Sequence, residues 1–421
     1  MNDARPAGED EARFSVDNAP YSLLVGFADA LAAPEVAMSL LGAGHRVVSF
    51  ARRGRPVALR RLRGVEIVEV TAPEDDLAAC MGEVADVAAR NDLTMPLDDL
   101  AVLVCDRALP PSARVAGPRG RQARLALDKR VQLRGAEAAG LAVPAWVELP
   151  PDGDGLPGDW AGLPGGEGLP GNEAWPLVCK PALAAEEMGG RLRRLAPKLV
   201  GTPAELSSVR RAWGAGTPAI VQRWVAGSGG GVFGLAGSGA VHHLSAHKRV
   251  RMMNPAGSGS SACSSVPVPA ELEAPIARFL TAANWQGMFM VELLRAGDSW
   301  WFVELNGRPW GSLALARRRG YEYPAWAVAG VLDSTVQLPA PPPFAELLCR
   351  HLGRELVHLL FVLRGPRSHP GVWPGRAETL RALLPGGRRT SWYNLAPGAR
   401  RVFVEDTWRT VAAQTWGRRR A

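Results

Sequence analysis

Glu292 and the run Glu304-Leu305-Asn306-Gly307-Arg308 carry the plainest chemical meaning in the chain. They sit in MFMVELLRAGDSWWFVELNGRPWGS, where side chains alternating across a strand put Glu304 and Asn306 on one face, with Arg308 beside them if the strand continues. The turn at Ala296-Gly297 folds the preceding strand back, which brings Glu292 in as a cross-strand neighbour. Two carboxylates and an amide oxygen gathered in this way suit magnesium, a hard cation that completes its shell with phosphate and water. The spacing therefore predicts a nucleoside triphosphate site. The plainer alternative is the outer face of an ordinary antiparallel sheet, where such alternation arises by default.

The lysines point the same way. Only Lys129, Lys180, Lys198 and Lys248 occur, and the other 45 of the 49 basic residues are arginine. In so arginine-biased a chain, a retained lysine suggests a task that needs a compact ammonium. Lys180 ends an apolar strand just before Pro181, where a point charge can hold a phosphate. Lys129 follows Asp128 at the opening of a helix, where a phosphate also meets the positive end of the helix dipole. No Gly-Lys pair exists, so there is no Walker A loop, and a G-x-S-x-G elbow is also absent. His243 and His247 have a spacing that would suit zinc on a helix, but their segment reads as a strand and the pair as sheet packing. Gly257-Ser258-Gly259-Ser260-Ser261 reads either as a flexible anion-binding loop near the substrate, the favoured reading, or as a plain polar turn.

These residues need elements to position them. YSLLVGF, RVVSFA, GVEIVEV and LAVLVCD read as strands, with helices over LAAPEVAMSLLGAG and DLAACMGEVADVAARN. Alternating β and α units imply a mostly parallel, Rossmann-like first domain over residues 21–120, after a disordered start at 1–20. It lacks the dinucleotide fingerprint, since Gly42-Ala43-Gly44 closes a helix rather than opening one. LALDKRVQLRGAEAAGL reads as one amphipathic helix. Residues 151–175, with three copies of Gly-Leu-Pro-Gly, form a Gly/Pro-rich insertion. WPLVCKP, AIVQRWV, VFGLAG, AVHHLSAHKRVRM, MFMVELL and WWFVELNG are strand-like, and PAELSSVRRAW and AELEAPIARFLTAAN are helical. A second domain thus covers 121–335, and a C-terminal extension covers 336–421, with a stiff spacer at Ala340-Pro341-Pro342-Pro343 and a helix over FAELLCRHLGRELVHLLFVLRG.

Asp128-Lys129, Pro176-Leu177-Val178-Cys179-Lys180-Pro181, Ile220-Val221-Gln222-Arg223-Trp224-Val225 with Gly227 and Gly229, His247-Lys248-Arg249, Glu292 and Glu304-Leu305-Asn306-Gly307-Arg308 together resemble the ATP-grasp ligases. The likeness in order and spacing runs from about residue 120 to 330, and the relevant branch is the carboxylate-amine ligases with the biotin carboxylase and carbamoyl-phosphate synthase large-chain type. The resemblance implies an α/β and α+β protein: a Rossmann-like domain, an ATP-grasp fold of two α+β subdomains, and a C-terminal helical extension. It implies that Lys129 and Lys180 hold the phosphates of ATP, that Gln222 opens the adenine hinge, and that the backbone of Arg223 and Val225 reads the base. It implies Glu292, Glu304 and Asn306 as ligands for Mg2+, with Mn2+ as an alternative, and Arg249 and Arg308 as the catalytic cations. Gly189 and Gly190 would turn the hairpin that covers the phosphates. The run Gly227–Gly231 departs from the family in offering no acidic residue for the ribose.

The implied reaction joins a small carboxylic acid to an amine through an acyl phosphate, with ATP consumed. Two other readings are an ATP-dependent phosphotransferase at the same site and an arginine-rich nucleic-acid binder with a relic grasp. The net charge of +8 is spread over 421 residues with only short runs such as Arg418-Arg419-Arg420, which disfavours a nucleic-acid partner. Five cysteines without a C-x-x-C pair read as reduced thiols, and no apolar stretch approaches a membrane span, so a cytoplasmic protein is expected, as a homodimer through the first domain.

Overall fold

Apolar runs that are buried on both faces build the N-terminal sheet. In the computed structural model, which describes residues 20–149, 175–214, 216–366, 373–384 and 389–416, the chain opens with β1 (Ser22–Gly26), α1 (Ala33–Gly42), β2 (Arg46–Arg52), β3 (Val65–Val70), α2 (Leu77–Ala88), β4 (Leu93–Pro96) and α3 (Asp99–Ala108). These strands form a parallel sheet in the order β3-β2-β1-β4. Leu23 and Val25 of β1 pack into one core and Leu24 into another, as the alternation of a strand between two layers requires. Gly44, at φ +89°, ends the turn after α1 in the left-handed conformation that glycine takes most readily.

One expected strand is a helix. LAVLVCD lies in α3, where Leu100 to Cys105 are all buried, and Asp98 caps it by accepting from the Ala101 amide at 2.7 Å. A continuous apolar run does not distinguish a buried strand from a buried helix, and the Asp cap decides for the helix. The fourth strand is the short LTMP segment just before it.

The chain continues through α4 (Arg121–Leu127), α5 (Lys129–Ala138), β5 (Trp146–Leu149), β6 (Leu177–Pro181), β7 (Glu186–Met188), β8 (Arg191–Arg193), β9 (Lys198–Val200), α6 (Pro203–Trp213) and β10 (Ala219–Arg223). The helix expected over LALDKRVQLRGAEAAGL is broken at Asp128, whose backbone is extended (φ −115°, ψ 107°) and whose carboxylate accepts from the Arg130 amide to cap α5. Strands β5, β10, β6 and β9 form an antiparallel sheet in that order, β7 and β8 pair as a separate hairpin, and α6 packs Leu206 and Trp213 beneath the sheet. The Gly/Pro-rich insertion lies outside the described residues.

The remaining elements are β11 (Ser228–Gly237), β12 (Ala240–Asn254), β13 (Ser258–Val266), α7 (Ala270–Ala282), β14 (Gly287–Ala296), β15 (Ser299–Asn306), α8 (Leu313–Arg318), α9 (Tyr323–Leu332), β16 (Leu348–Arg350), α10 (Leu352–Arg364), α11 (Arg376–Leu383), β17 (Thr390–Trp392) and α12 (Arg400–Trp416). Their strands make a larger sheet in the order β15-β14-β11-β12-β13-β16-β17. Ile276 and Phe279 of α7 pack with Val291, Leu293, Phe302 and Leu305 on its back, while Phe233 and Met290 share a core with α1 and α9. Two further expectations change. FAELLC is not helical but leads into β16, and the helix begins at Leu352 after the His351 cap. The Gly257–Ser261 segment is a turn only as far as Gly257, and Ser258 already opens β13. No described helix is long and apolar enough to cross a membrane.

Candidate active site between two sheets

The hairpin β14–β15 turns through Gly297 and Asp298 and pairs Glu292 directly with Glu304. Asn306 follows on the same face, its Nδ2 donating to Glu304 Oε1 at 3.3 Å. Arg249 comes in from β12 with a guanidinium nitrogen 2.7 Å from Glu292 Oε1. Burial drives the pKa of Glu292 up; Arg249 opposes the shift and the facing charge of Glu304 adds to it. Such a pair of facing carboxylates with an amide oxygen beside them is a donor set that a divalent cation would relieve, so these residues fit the expected ion.

Lys180, near the end of β6, donates to Gln222 Oε1 on neighbouring β10 at 2.6 Å, and Gln222 in turn donates to the Pro144 carbonyl at 3.3 Å. Burial lowers the Lys180 pKa to about 8, with Glu304 and Glu292 pulling it back up and Lys129 pushing it further down. The small sheet therefore presents an ammonium toward the carboxylates of the large one. A cavity of about 740 Å³ runs between the sheets from the segment Gln222–Gly229 and Lys180 to Arg249 and Glu292. The floor is bare because it must be: a Cβ on Gly229 would lie 2.6 Å from the Arg249 side chain.

The structure thus brings Lys180, Gln222, Arg223, Val225, Arg249 and Glu292 onto one cavity, while Glu304, paired with Glu292, and Asn306 line the cavity that adjoins it. Lys129 lies close enough for its charge to reach Lys180, but it does not line the cavity. Gly189 and Gly190 form the β7–β8 turn (φ +58° and +74°), and that hairpin packs on the N-terminal layer, the Gly190 carbonyl accepting from the Leu77 amide at 2.9 Å. Neither glycine lines this cavity. His243 and His247 part company: His243 Nε2 lies 2.7 Å from the Pro339 carbonyl, and His247 Nδ1 lies 2.9 Å from Ser312 Oγ.

A second cavity, of about 720 Å³, adjoins the first along Arg249, Gly259 and Glu292 and reaches down to the N-terminal sheet. Arg308 lies on its wall, and its guanidinium donates to Asp99 at 2.9 Å. Burial opposes that charge, yet Asp99 holds the Arg308 pKa above its ordinary value; Arg308 in turn holds Asp99 below the usual carboxylate range despite its burial. Asp99 opens α3, so reading that segment as a strand hid it; the Asp98-Asp99 pair ahead of an apolar run was the signal that could have found it.

Two sheets closing on one elongated cavity, with paired carboxylates on the larger and a lysine on the smaller, are the ATP-grasp fold. Solved structures similar to the chain include an L-amino acid ligase from Bacillus licheniformis (TM-score 0.54, 17% identity, covering 76% of this chain and 75% of that one). They also include N5-carboxyaminoimidazole ribonucleotide synthetase from Thermus thermophilus (TM-score 0.57, 16% identity, 78% and 82% covered). A third is the biotin carboxylase domain dimer of 2-oxoglutarate carboxylase from Hydrogenobacter thermophilus, in complex with MgADP, ADP and bicarbonate (TM-score 0.57, 12% identity, 79% and 74% covered). The likeness is one of fold. No family model matches the sequence, and no curated protein matches it.

Proposed function

We propose that the chain is an ATP-dependent carboxylate–amine ligase acting on small metabolites through an acyl phosphate. The observation that carries this reading is the meeting of Glu292, Glu304, Asn306 and Lys180 where the two cavities join. One cavity has room for a nucleotide, and the other leaves space for an acid and an amine beside its triphosphate end. In this reading Arg223 and Val225 offer backbone groups to the adenine, while Lys180, with Lys129 behind it, takes the phosphates. Glu292, Glu304 and Asn306 would hold Mg2+, which offsets phosphate charge and polarises the γ-phosphoryl group.

A carboxylate oxygen attacks the γ-phosphorus in line and ADP leaves. The amine then attacks the acyl carbon and inorganic phosphate leaves. Arg308, held in place by Asp99, and Arg249 face the charge that develops on the phosphoryl and tetrahedral oxygens. We assign residues 21–120 to a Rossmann-like domain on the parallel order of its strands, 121–335 to the grasp and 336–421 to an extension. The five cysteines, all buried and free, fit a cytoplasmic setting.

The test is an ADP-release screen with pooled carboxylic acids, with and without amines, followed by mass analysis of products. A ligase yields an amide, ADP and free phosphate, and needs the amine for full turnover. A phosphorylated acid or alcohol released as the final product would instead mean a phosphotransferase, and loss of this reading.

A further inference from the structure

Six arginines line the second cavity, and five of them already have a carboxylate. Arg52 meets Asp29 at 2.6 Å and Glu74 at 3.0 Å, Arg55 meets Glu74 at 3.9 Å, and Arg194 meets Asp99 at 3.0 Å. Arg249 and Arg308 are paired as described above. Arg354, on α10, is the exception: it donates to the Ser260 carbonyl at 3.0 Å and has no carboxylate within 4.0 Å among the described residues. Burial lowers its pKa, and the charge of Asp406, beyond ion-pair distance, offsets that only in part. The approach of its guanidinium is built in. Gly259, at φ +46°, lies under it, and a Cβ there would come within 2.9 Å of the Arg354 nitrogen.

A second unmet group lines the same cavity. His247 is 2% exposed and lines this cavity; its Nδ1 is engaged by Ser312, while its buried Nε2 has no partner. Phe233, which stacks on Trp310, meets the imidazole edge-on at 4.7 Å between ring centroids and fixes its plane. In the tautomer in which Nδ1 accepts from the Ser312 hydroxyl, Nε2 carries the proton and presents a neutral donor.

We propose that Arg354 and His247 form the subsite that receives the carboxylate of the acid substrate, so that α10 completes the active site. One unpaired cation and one neutral donor match a monoanion better than a phosphate, and the adjoining cavity has its own lysine for phosphates. The proposal rests on the ligase reading only for what becomes of the carboxylate once bound.

Binding is measured directly by saturation-transfer NMR on the full chain loaded with Mg2+ and the non-hydrolysable analogue AMP-PNP. The probes are pooled proteinogenic L-amino acids with lactate and malate, and the matching primary amides serve as controls. At least one acid binds wild type and its amide does not. Arg354→Gln weakens that acid about thirtyfold or more, Arg354→Lys weakens it less, and His247→Gln weakens it about fivefold. Each variant keeps AMP-PNP affinity within about twofold, and without acid Arg354→Gln melts no lower than wild type, because a half-buried charge with no ion-pair partner has been removed. Absence of acid binding by loaded wild type, amides that bind equally well, or an Arg354→Gln variant that binds as wild type does would overturn the subsite. An enzyme that binds acids through Arg354 but releases no ADP with ATP upholds the subsite and removes the ligase reading.

Discussion

Lys180 is held in readiness at a cost. Half-buried, and bonded to Gln222 at 2.6 Å, its ammonium is pulled down to about 8 in the absence of a triphosphate. Between that value and the ordinary 10.5 the unfolded chain binds the proton more tightly, so this lysine makes the nucleotide-free protein gain stability as pH rises through the window. Triphosphate binding reverses the shift and takes up a proton. Titration calorimetry near pH 8 in buffers of different ionisation enthalpy is expected to show proton uptake with AMP-PNP, and affinity should fall by up to about tenfold per pH unit above that point. Lys180→Arg should remove both effects; a wild-type affinity flat from pH 7 to 10 contradicts the assignment. Glu304 faces Glu292 across the hairpin, so Glu304→Gln relieves like-charge repulsion. It should cut ADP formation by about a hundredfold or more while the metal-free melting temperature holds or rises. Arginine bias and strand alternation made Lys180, Glu292, Glu304 and Asn306 legible in the sequence. The Asp98-Asp99 pair signals a helix start, but the partners of Asp99, His247 and Arg354 come from remote segments, which no local pattern encodes.

At the level of elements, the segments with a clear period were readable and those apolar throughout were not. The β14–β15 hairpin followed from alternation and a two-residue turn, whereas LAVLVCD, buried along its length, turned out to be α3. That difference matters because α3 delivers Asp99 to Arg308. Asp99→Ala strands Arg308 and is expected to destabilise the fold by about 2 kcal/mol, less than a fully buried pair because both partners keep some solvent contact. Its signature is a fall in kcat with nucleotide affinity unchanged; weakened AMP-PNP binding would place Arg308 elsewhere. The seat of α10 is as specific. A Cβ on Gly353 would lie 2.8 Å from Thr410 and 2.9 Å from the Thr407 carbonyl of α12. Gly353→Val should therefore lower stability by about 1–3 kcal/mol in denaturant unfolding and raise the KM of the acid, since Arg354 is the next residue.

In the whole molecule, the second cavity draws on Asp29 near one end of the chain and Arg354 near the other, and it meets the first along Arg249, Gly259 and Glu292. A site assembled over such distances explains why the grasp was readable from motifs while its substrate pocket was not. The Gly/Pro-rich segment contributes no described residue to either cavity, and replacing residues 151–174 with a short Gly-Ser linker is expected to leave ADP release within about twofold. In the proposed enzyme the β14–β15 hairpin holds a divalent ion on a triphosphate that reaches Lys180. This arrangement is tested most directly by anomalous diffraction from crystals grown with AMP-PNP and Mn2+. The manganese peak is expected among Glu292, Glu304 and Asn306, with the triphosphate beside Lys180 and the base against Arg223–Val225. A peak away from those oxygens, or a nucleotide bound outside this cavity, would contradict it.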